Sequence, residues 1–403
     1  MATNKTIPTF AAMNVWNDLN NLPNFKNAVV TIGSFDGVHS GHQKIIQKIN
    51  KLAENISGES VVVTFHPHPR EIIYPKDNSL RLITTINEKI ALFERYGVDH
   101  VVVVPFTIEF SQQKADEYIE KFLFEKFNPK FVVIGYDHRF GLNRQGDINF
   151  LKWHGKQYGF EVAEIQKQEV ENIAISSTKI RTAVQQGELK TASKLMGHNF
   201  VLTGRVVKGQ QFGSKIEFPT ANLEIPQKNK LIPADGIYSV YVQHKNERYG
   251  GMLYIGDRPT LTDYNNKTIE VNIFNFNKDL YGDNLRIEFL EKIREDKKFD
   301  DLEALKDQLK KDRISALSVI EEHENEQEVR ESEKKPLVSV VILNWNGRDL
   351  LRQFLPSVLD ADYPNFEIIV ADNASTDDSI KVLKKEFPEV KIIELKENYG
   401  FAG

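Results

Sequence analysis

The sequence predicts a multidomain chain: an alternating α/β domain with a parallel sheet, then a small antiparallel β-barrel with a terminal helix, then a partial α/β segment. Three observations predict this. Over residues 1–186 short β-branched runs alternate with helical stretches, the signature of βαβ units whose sheet is covered on both faces. Across 187–320 the strands take on period-2 alternation and are separated by Gly and Pro turns. From Pro336 a buried-strand run returns, LVSVVILNWNG, opening the segment 337–403. A length of 403 residues independently calls for two or three domains.

In the first domain the β-branched runs put strands at 28–32, 60–65, 100–104, 131–135 and 160–165, with helices near 41–56, 86–96, 112–127 and 147–158. In the barrel, alternation puts strands at 200–207, 237–244, 250–256, 268–276 and 285–291, followed by a helix over 300–320. Residues 321–336, EEHENEQEVRESEKKP, are almost wholly charged or polar and predict a solvated helix extension or a flexible linker. The last segment reads strand 337–343, helix 348–359, strand 366–371, helix 376–386 and strand 390–395.

Composition narrows the function classes. Hydrophobic content of 40% with 25 Phe suffices for packed cores, and a net charge of −5 leaves no basic footprint for nucleic acid. With no cysteine, disulfides, Cys-ligated zinc and a thiol nucleophile are excluded, which fits a reducing cytoplasm. The N-terminal MATNKTIPTFAAMN has no apolar core of a signal peptide, and runs such as Val101–Val104 are too short to span a bilayer. A cytoplasmic protein with no membrane partner is expected; the oligomeric state is not written in the sequence.

Ligands of parallel sheets sit beyond the carboxyl ends of the strands. Three polar motifs begin there. Residues 33–42, GSFDGVHSGH, join a strand to a helix. Free N–H groups and the positive end of the helix dipole collect at such a turn and suit a phosphate. Gly33, Gly37 and Gly41 permit close backbone approach, and His39 and His42 add two donors. Thr64-Phe65-His66-Pro67-His68-Pro69-Arg70 and Gly135-Tyr136-Asp137-His138-Arg139-Phe140-Gly141 follow two further strands. Ile175-Ser176-Ser177-Thr178-Lys179-Ile180-Arg181 adds hydroxyls and two cations before a helix. Singly, each has a bland reading as a structural turn, a stiff proline loop or an N-cap. Four in order, converging at strand ends, favour a nucleotide phosphate site.

This set resembles the FMN adenylyltransferase module of bacterial bifunctional riboflavin kinase/FAD synthetases, a likeness covering residues 15–186. The resemblance implies a Rossmann-like nucleotidyltransferase domain in which FMN phosphate attacks the α-phosphate of ATP to give FAD and pyrophosphate. By that likeness His39 and His42 are catalytic, and Gly33, Phe35, Asp36, Gly41, Ser176, Ser177, Thr178 and Arg181 bind ATP. The loops carrying His66, Pro67, Asp137, Arg139 and Phe140 flank the ATP and flavin pockets.

No Gly-x-x-x-x-Gly-Lys-Ser/Thr occurs, so a Walker-type kinase is excluded. Phe218-Pro219-Thr220-Ala221-Asn222 instead offers a hydroxyl and an amide oxygen two residues apart, hard donors suited to Mg²⁺ on nucleotide phosphates. On the strand Thr268–Phe276, Ile269, Val271 and Ile273 share one face, and Glu270 and Asn272 the other. A carboxylate lining the barrel mouth can take a proton from an attacking hydroxyl, though alone Glu270 reads as an exposed strand residue. GRVVKGQQFG, FPTANL, DGIYSVYV, GGMLYIGDRPT and the long run from Ile269 to Phe299 resemble the riboflavin kinase module of the same family. The likeness implies Thr220 and Asn222 as the Mg-ATP pair and Glu270 as the base that activates the riboflavin 5′-hydroxyl. Riboflavin, FMN, FAD and ATP are thus the expected partners. Two positions depart from the family pattern: Glu217 stands where Gly is common and Asn275 where Asp is usual. They leave open a monofunctional FAD synthetase with an impaired kinase. A flavin- or nucleotide-binding module without turnover is the other alternative.

In the last segment, Asp372-Asn373-Ala374-Ser375-Thr376-Asp377-Asp378 begins at a strand end, and its bland reading is an Asx turn with an N-cap. LVSVVILNWNG, IIVADNASTDDS and NYGFAG resemble the start of a family 2 glycosyltransferase of the GT-A fold, which implies a vestigial nucleotide-sugar contact at Asp372. The metal-binding Asp-x-Asp and the acceptor site of that family lie beyond Gly403, so no glycosyl transfer is expected.

Overall fold

The computed structural model describes residues 13–135, 138–165, 176–208, 218–257, 267–299, 301–334, 336–361, 363 and 365–400. Two compact units, 1–320 and 321–403, are separated by their internal contacts.

The first unit opens with strands β1 (Asn14–Trp16), β2 (Val29–Ile32), β3 (Ser60–His66), β4 (His100–Pro105), β5 (Phe131–Gly135) and β6 (Glu161–Ile165). They form a six-stranded parallel sheet in the order β1-β4-β3-β2-β5-β6. β2 is buried throughout, as a strand covered on both faces must be. The chain leaves β2 toward β3 on one side and returns to β5 on the other. The turn after β2 therefore lies at the switch point where a crevice opens. β1 is a three-residue strand with no apolar periodicity, and sequence reading missed it.

Helix Ser40–Asn55 packs Ile46, Ile49 and Ala53 into the sheet core, and helix Ile86–Arg95 starts from a capping box of Thr85 and Glu88. The single helix expected over 112–127 is broken into Ile108–Ser111, Ala115–Glu117, a π-helical stretch Tyr118–Phe124 and Glu125–Phe127. The wider π turns bring Tyr118, Ile119, Phe122 and Leu123 to the core together.

Strands β7 (Phe200–Val207), β8 (Ala221–Glu224), β9 (Gly236–His244), β10 (Glu247–Asp257), β11 (Lys267–Ile273) and β12 (Asn284–Arg294) close a barrel in the order β10-β11-β8-β7-β12-β9. The sixth strand, β8, hides inside the FPTANL motif, too short and polar for alternation to reveal. β11 stops earlier than the expected 268–276 because Asn275 turns the chain with φ +54°, a left-handed conformation Asn adopts readily. Helices Ser177–Gln185 and Leu189–Met196 belong to the barrel's core: Ile180, Ala183, Val184, Leu189 and Met196 share one cluster with Phe200, Tyr238 and Phe289.

Sheet and barrel are joined through the segment 81–88. Leu82 N–H donates to the Asn229 carbonyl at 2.8 Å, and Leu231 N–H donates back to Leu82 at 2.8 Å. Beneath them Lys230 Nζ donates to Glu88 at 2.7 Å and to the Ile83 carbonyl at 2.6 Å, with both side chains almost wholly buried. The other Glu88 oxygen accepts from Thr203 N–H at 3.0 Å. Such a pair adds little net stability when intact, but removing one partner strands a buried charge. Lys230→Met should therefore destabilise the unit by about 3–5 kcal/mol. Adding Glu88→Gln to it should recover much of that loss; equal thermal midpoints for Lys230→Met and wild type would refute the account.

Helix Leu302–Lys334 packs Ala316 and Ile320 against Tyr241, Met252 and Phe274 of the barrel, and its Asp312 receives a two-pronged contact from Arg294 at 2.7 and 2.9 Å. It continues through Lys334, so most of the charged run 321–336 is helical, and Glu321, Glu322 and Glu324 are exposed. In the second unit β13 (Val338–Asn344), β14 (Phe366–Asp372) and β15 (Lys391–Glu394) form a parallel sheet flanked by helices Arg348–Leu359 and Ser379–Glu386. Among the described residues no helix is long and apolar enough to cross a membrane.

Candidate active sites

The turn between β2 and helix Ser40–Asn55 is held in a demanding conformation. Phe35 (φ +47°) and Val38 (φ +37°) are left-handed without being glycine, and both are buried. Such backbone persists only where its surroundings over-determine it. Here they do. The buried Asp36 carboxylate accepts from Ile83 N–H at 3.0 Å, Thr84 N–H at 3.1 Å and Arg181 Nη2 at 2.6 Å. Gly37 N–H donates to the Thr84 hydroxyl at 2.9 Å, and His198 Nε2 lies 2.9 Å from the Gly37 carbonyl. Gln43 Nε2 spans the Val38 and Met196 carbonyls at 2.8 and 2.6 Å.

On this turn His39 and His42 stack with ring centroids 3.7 Å apart and an interplanar angle of 15°. Burial lowers His39 to about 4 and His42 well below its ordinary value, so both rings are uncharged at neutral pH. Among the described residues the Nδ1 atom of each is buried without a hydrogen-bond partner, a rare state for a buried polar group. Gly41 is buried in the first turn of the helix, between the two histidines in sequence. Phe35 packs edge-on against His42 and Phe93, and a side chain at Gly33 would stand 3.1 Å from the Phe35 ring. Phe35 therefore buttresses the His42 ring.

Arg181 reaches Asp36 from helix Ser177–Gln185, whose N-cap is Ser176: its hydroxyl accepts from Lys179 N–H at 3.3 Å. Arg181 Nε donates to the Arg81 carbonyl at 2.7 Å. Ser176 and Thr178 are exposed and Ser177 is half-buried at this helix start. The structure thus sets Arg181 against the turn that carries Gly33, Phe35, Asp36, His39, Gly41 and His42, with Ser176, Ser177 and Thr178 at the start of the same helix.

The other loops are less directly engaged. His66 is exposed at the end of β3, and beyond Pro67 it is His68 that lies in the electrostatic reach of Asp36, Lys89 and Arg181, with burial lowering it to about 4. Arg139 forms an ion pair with Asp147 at 3.0 Å, and Phe140 is buried against Tyr118 at 5.0 Å. Asp137 lies outside the described residues. Sequence reading missed Thr84, Lys89 and His198. The Thr85-x-x-Glu88 capping signature marked the first region; nothing local marks a buried helical lysine or a histidine after Gly197.

The barrel carries a second site. Thr220 Oγ1 donates to Glu270 Oε2 at 3.0 Å, and Glu270 pairs directly with Asn222 across β11 and β8. Asn272, the next outward residue of β11, is buried and donates to the Pro219 carbonyl at 2.7 Å, fixing the FPTAN turn. Ile269, Val271 and Ile273 fill the barrel as expected. A cavity of about 630 Å³ opens beside this turn, lined by Lys208, Thr220, Asn222, Val271, Phe276 and Tyr281 among others. Glu270 adjoins the cavity through its hydrogen bond with Thr220, one of the residues that line it. Thr220 and Asn222 present neutral oxygens, and no group of three His, Asp or Glu with metal-holding geometry occurs among the described residues. That donor set fits a hard cation carried in with phosphates. Glu217 lies outside the described residues.

In the second unit Asp372 is buried and committed: it accepts from Asn344 Nδ2 and the Ser375 hydroxyl, both at 2.6 Å, and from Ser375 N–H at 2.9 Å. Its carboxylate holds the backbone three residues on and closes the end of β14.

Comparisons with known proteins follow the same partition. Residues 22–179 match the family model FAD synthetase, residues 196–320 match riboflavin kinase, and residues 339–403 match glycosyl transferase family 2. The bifunctional riboflavin kinase/FMN adenylyltransferase of Buchnera aphidicola subsp. Acyrthosiphon pisum is 37% identical over 301 residues, covering 74% of this chain and 95% of that protein. Its Escherichia coli K12 counterpart is 34% identical over 292 residues, covering 72% and 92%. A crystal structure described as a macrolide-efflux protein from Streptococcus pneumoniae superposes with a TM-score of 0.68 at 32% identity, over 76% of this chain and 99% of that one.

Proposed function

The chain belongs to the family of bifunctional riboflavin kinase/FMN adenylyltransferases, and on that premise we propose which of its residues carry the two reactions. It phosphorylates riboflavin to FMN and adenylylates FMN to FAD, with ATP as substrate of both steps. The observation that carries this is the likeness over 95% of a bifunctional relative, which spans both sites at once.

We assign residues 187–320 to the kinase. Glu270, held by Thr220, takes the proton of the riboflavin 5′-hydroxyl as its oxygen bonds to the γ-phosphorus and the bond to ADP breaks. Thr220 and Asn222 hold the phosphates; Mg²⁺ bound there would neutralise their charge as the phosphoryl group moves. Residues 1–186 carry the second step. An FMN phosphate oxygen attacks the α-phosphorus of ATP and pyrophosphate departs. Neutral His39 and His42 contribute N–H groups to the α-phosphate region, and Ser176, Ser177, Thr178 and Arg181 grip the phosphates. Arg181 has five N–H donors, and among the described residues two of them serve Asp36 and Arg81, which leaves others to turn toward ATP. Asp36 acts through Arg181 and the turn, not on substrate. Riboflavin, FMN, FAD and ATP are the partners, and the cysteine-free sequence supports a cytoplasmic setting.

Incubation with riboflavin, ATP and Mg²⁺ should yield FMN, then FAD with pyrophosphate, resolved by chromatography. Absence of both flavin products would sink the reading.

A further inference from the structure

Four charged side chains, Asp36, Glu88, Lys89 and Lys230, are buried near the adenylylation site, and the fold treats them unequally. Glu88 and Lys230 neutralise one another. Lys89, next to Glu88 on helix Ile86–Arg95, is 5% exposed and meets neutral acceptors: the Ser34 carbonyl at 2.6 Å and the Thr64 hydroxyl at 3.4 Å. No carboxylate forms an ion pair with it among the described residues. The acid that influences it, Asp36, has its own oxygens taken by Ile83, Thr84 and Arg181. Burial lowers Lys89 to about 8, which still leaves it mostly protonated at pH 7.

A buried ammonium without a counter-ion is costly, and folds avoid it unless something supplies the missing anion. Lys89 sits at the carboxyl ends of β2 and β3, bonded to the first residues of the strained turn. Its charge is felt by both His42 and His68. The anion that belongs there is the one this site receives.

We propose that Lys89 is the standing positive charge of the adenylyl-transfer site, the counter-ion for the phosphates of ATP and FMN and for the negative charge that builds at the α-phosphorus. The proposal rests on the adenylyltransferase reading above. Lys89 acts by its field and by holding Ser34, and it transfers no proton.

The test uses the full chain with Lys89→Met, which keeps length and packing without charge, and Lys89→Gln, which keeps an N–H donor without charge. Both should lower the rate of FAD formation from FMN by about a hundredfold. Both should leave riboflavin phosphorylation unchanged and the thermal midpoint equal or raised, because an unpaired buried charge is gone. Pyrophosphate should raise the wild-type midpoint more than that of either variant. Wild-type adenylylation in Lys89→Gln would overturn the proposal in favour of a hydrogen-bonding role. Loss of both activities would overturn it in favour of a scaffold role. If wild type itself makes no FAD from FMN, the adenylyltransferase reading has failed; if it does and both variants match it, this inference has failed.

Discussion

Glu270→Gln should reduce conversion of riboflavin to FMN by about 10³-fold while FMN supplied directly is still converted to FAD at the wild-type rate. The substitution conserves volume, and the amide oxygen can still accept from the Thr220 hydroxyl at the present 3.0 Å. Only the capacity to take a proton is lost. Ile269, Val271 and Ile273 fill the barrel from the opposite face of β11, so its core is untouched. Separate assays with riboflavin and with FMN, each followed by chromatography, give the two rates. If the variant phosphorylates riboflavin normally, Glu270 is a structural partner of Thr220 and the base lies elsewhere.

His42→Ala should do the reverse, lowering FAD formation by about 10²–10³-fold and sparing FMN formation. The ring at 42 has an unpartnered buried Nδ1, stacks on His39 and is supported edge-on by Phe35, so truncation removes a donor and loosens its neighbour. The turn's anchors, Asp36, Gly37 and Gln43, do not use the imidazole, so the fold should survive. Both rings are uncharged when empty, so the donors work as neutral N–H groups and the rate should not require protonation of either ring near pH 7. A mixture of the two variants should restore riboflavin-to-FAD conversion, with free FMN passing from one protein to the other. Should either variant abolish both reactions, the division of labour between the sites is wrong.

Much of this architecture was legible because it rests on strong local patterns. β2 to β5 are built on β-branched runs, and the Gly- and His-rich sequels of β2, β3 and β5 mark strand ends where ligands collect. What escaped depends on contacts far apart in sequence. β8 is a strand only because β7 and β11 lie on either side of it, and the π stretch at 118–124 is dictated by the core it must fill. Lys89 carries no local signal of its burial, which follows from the assembled fold. The emphasis on His66 and Arg139 also shifts, since side-chain direction at a strand end is set by packing: His68 and Arg181 face the cluster, and Arg139 pairs with Asp147.

The two helices that share the barrel's core carry a practical meaning for anyone who would take this enzyme apart. Arg181 clamps the phosphate turn, yet it rides on a helix whose Ile180, Ala183 and Val184 are seated among barrel residues. A cut between 186 and 187, where the texture of the sequence changes, would separate that helix from its seat and expose its apolar face. The upstream piece would keep its histidines but lose the surface that aims its arginine. In this chain the catalytic halves are not the same objects as the structural halves, so transplanting or expressing the adenylylating half alone must carry the barrel with it.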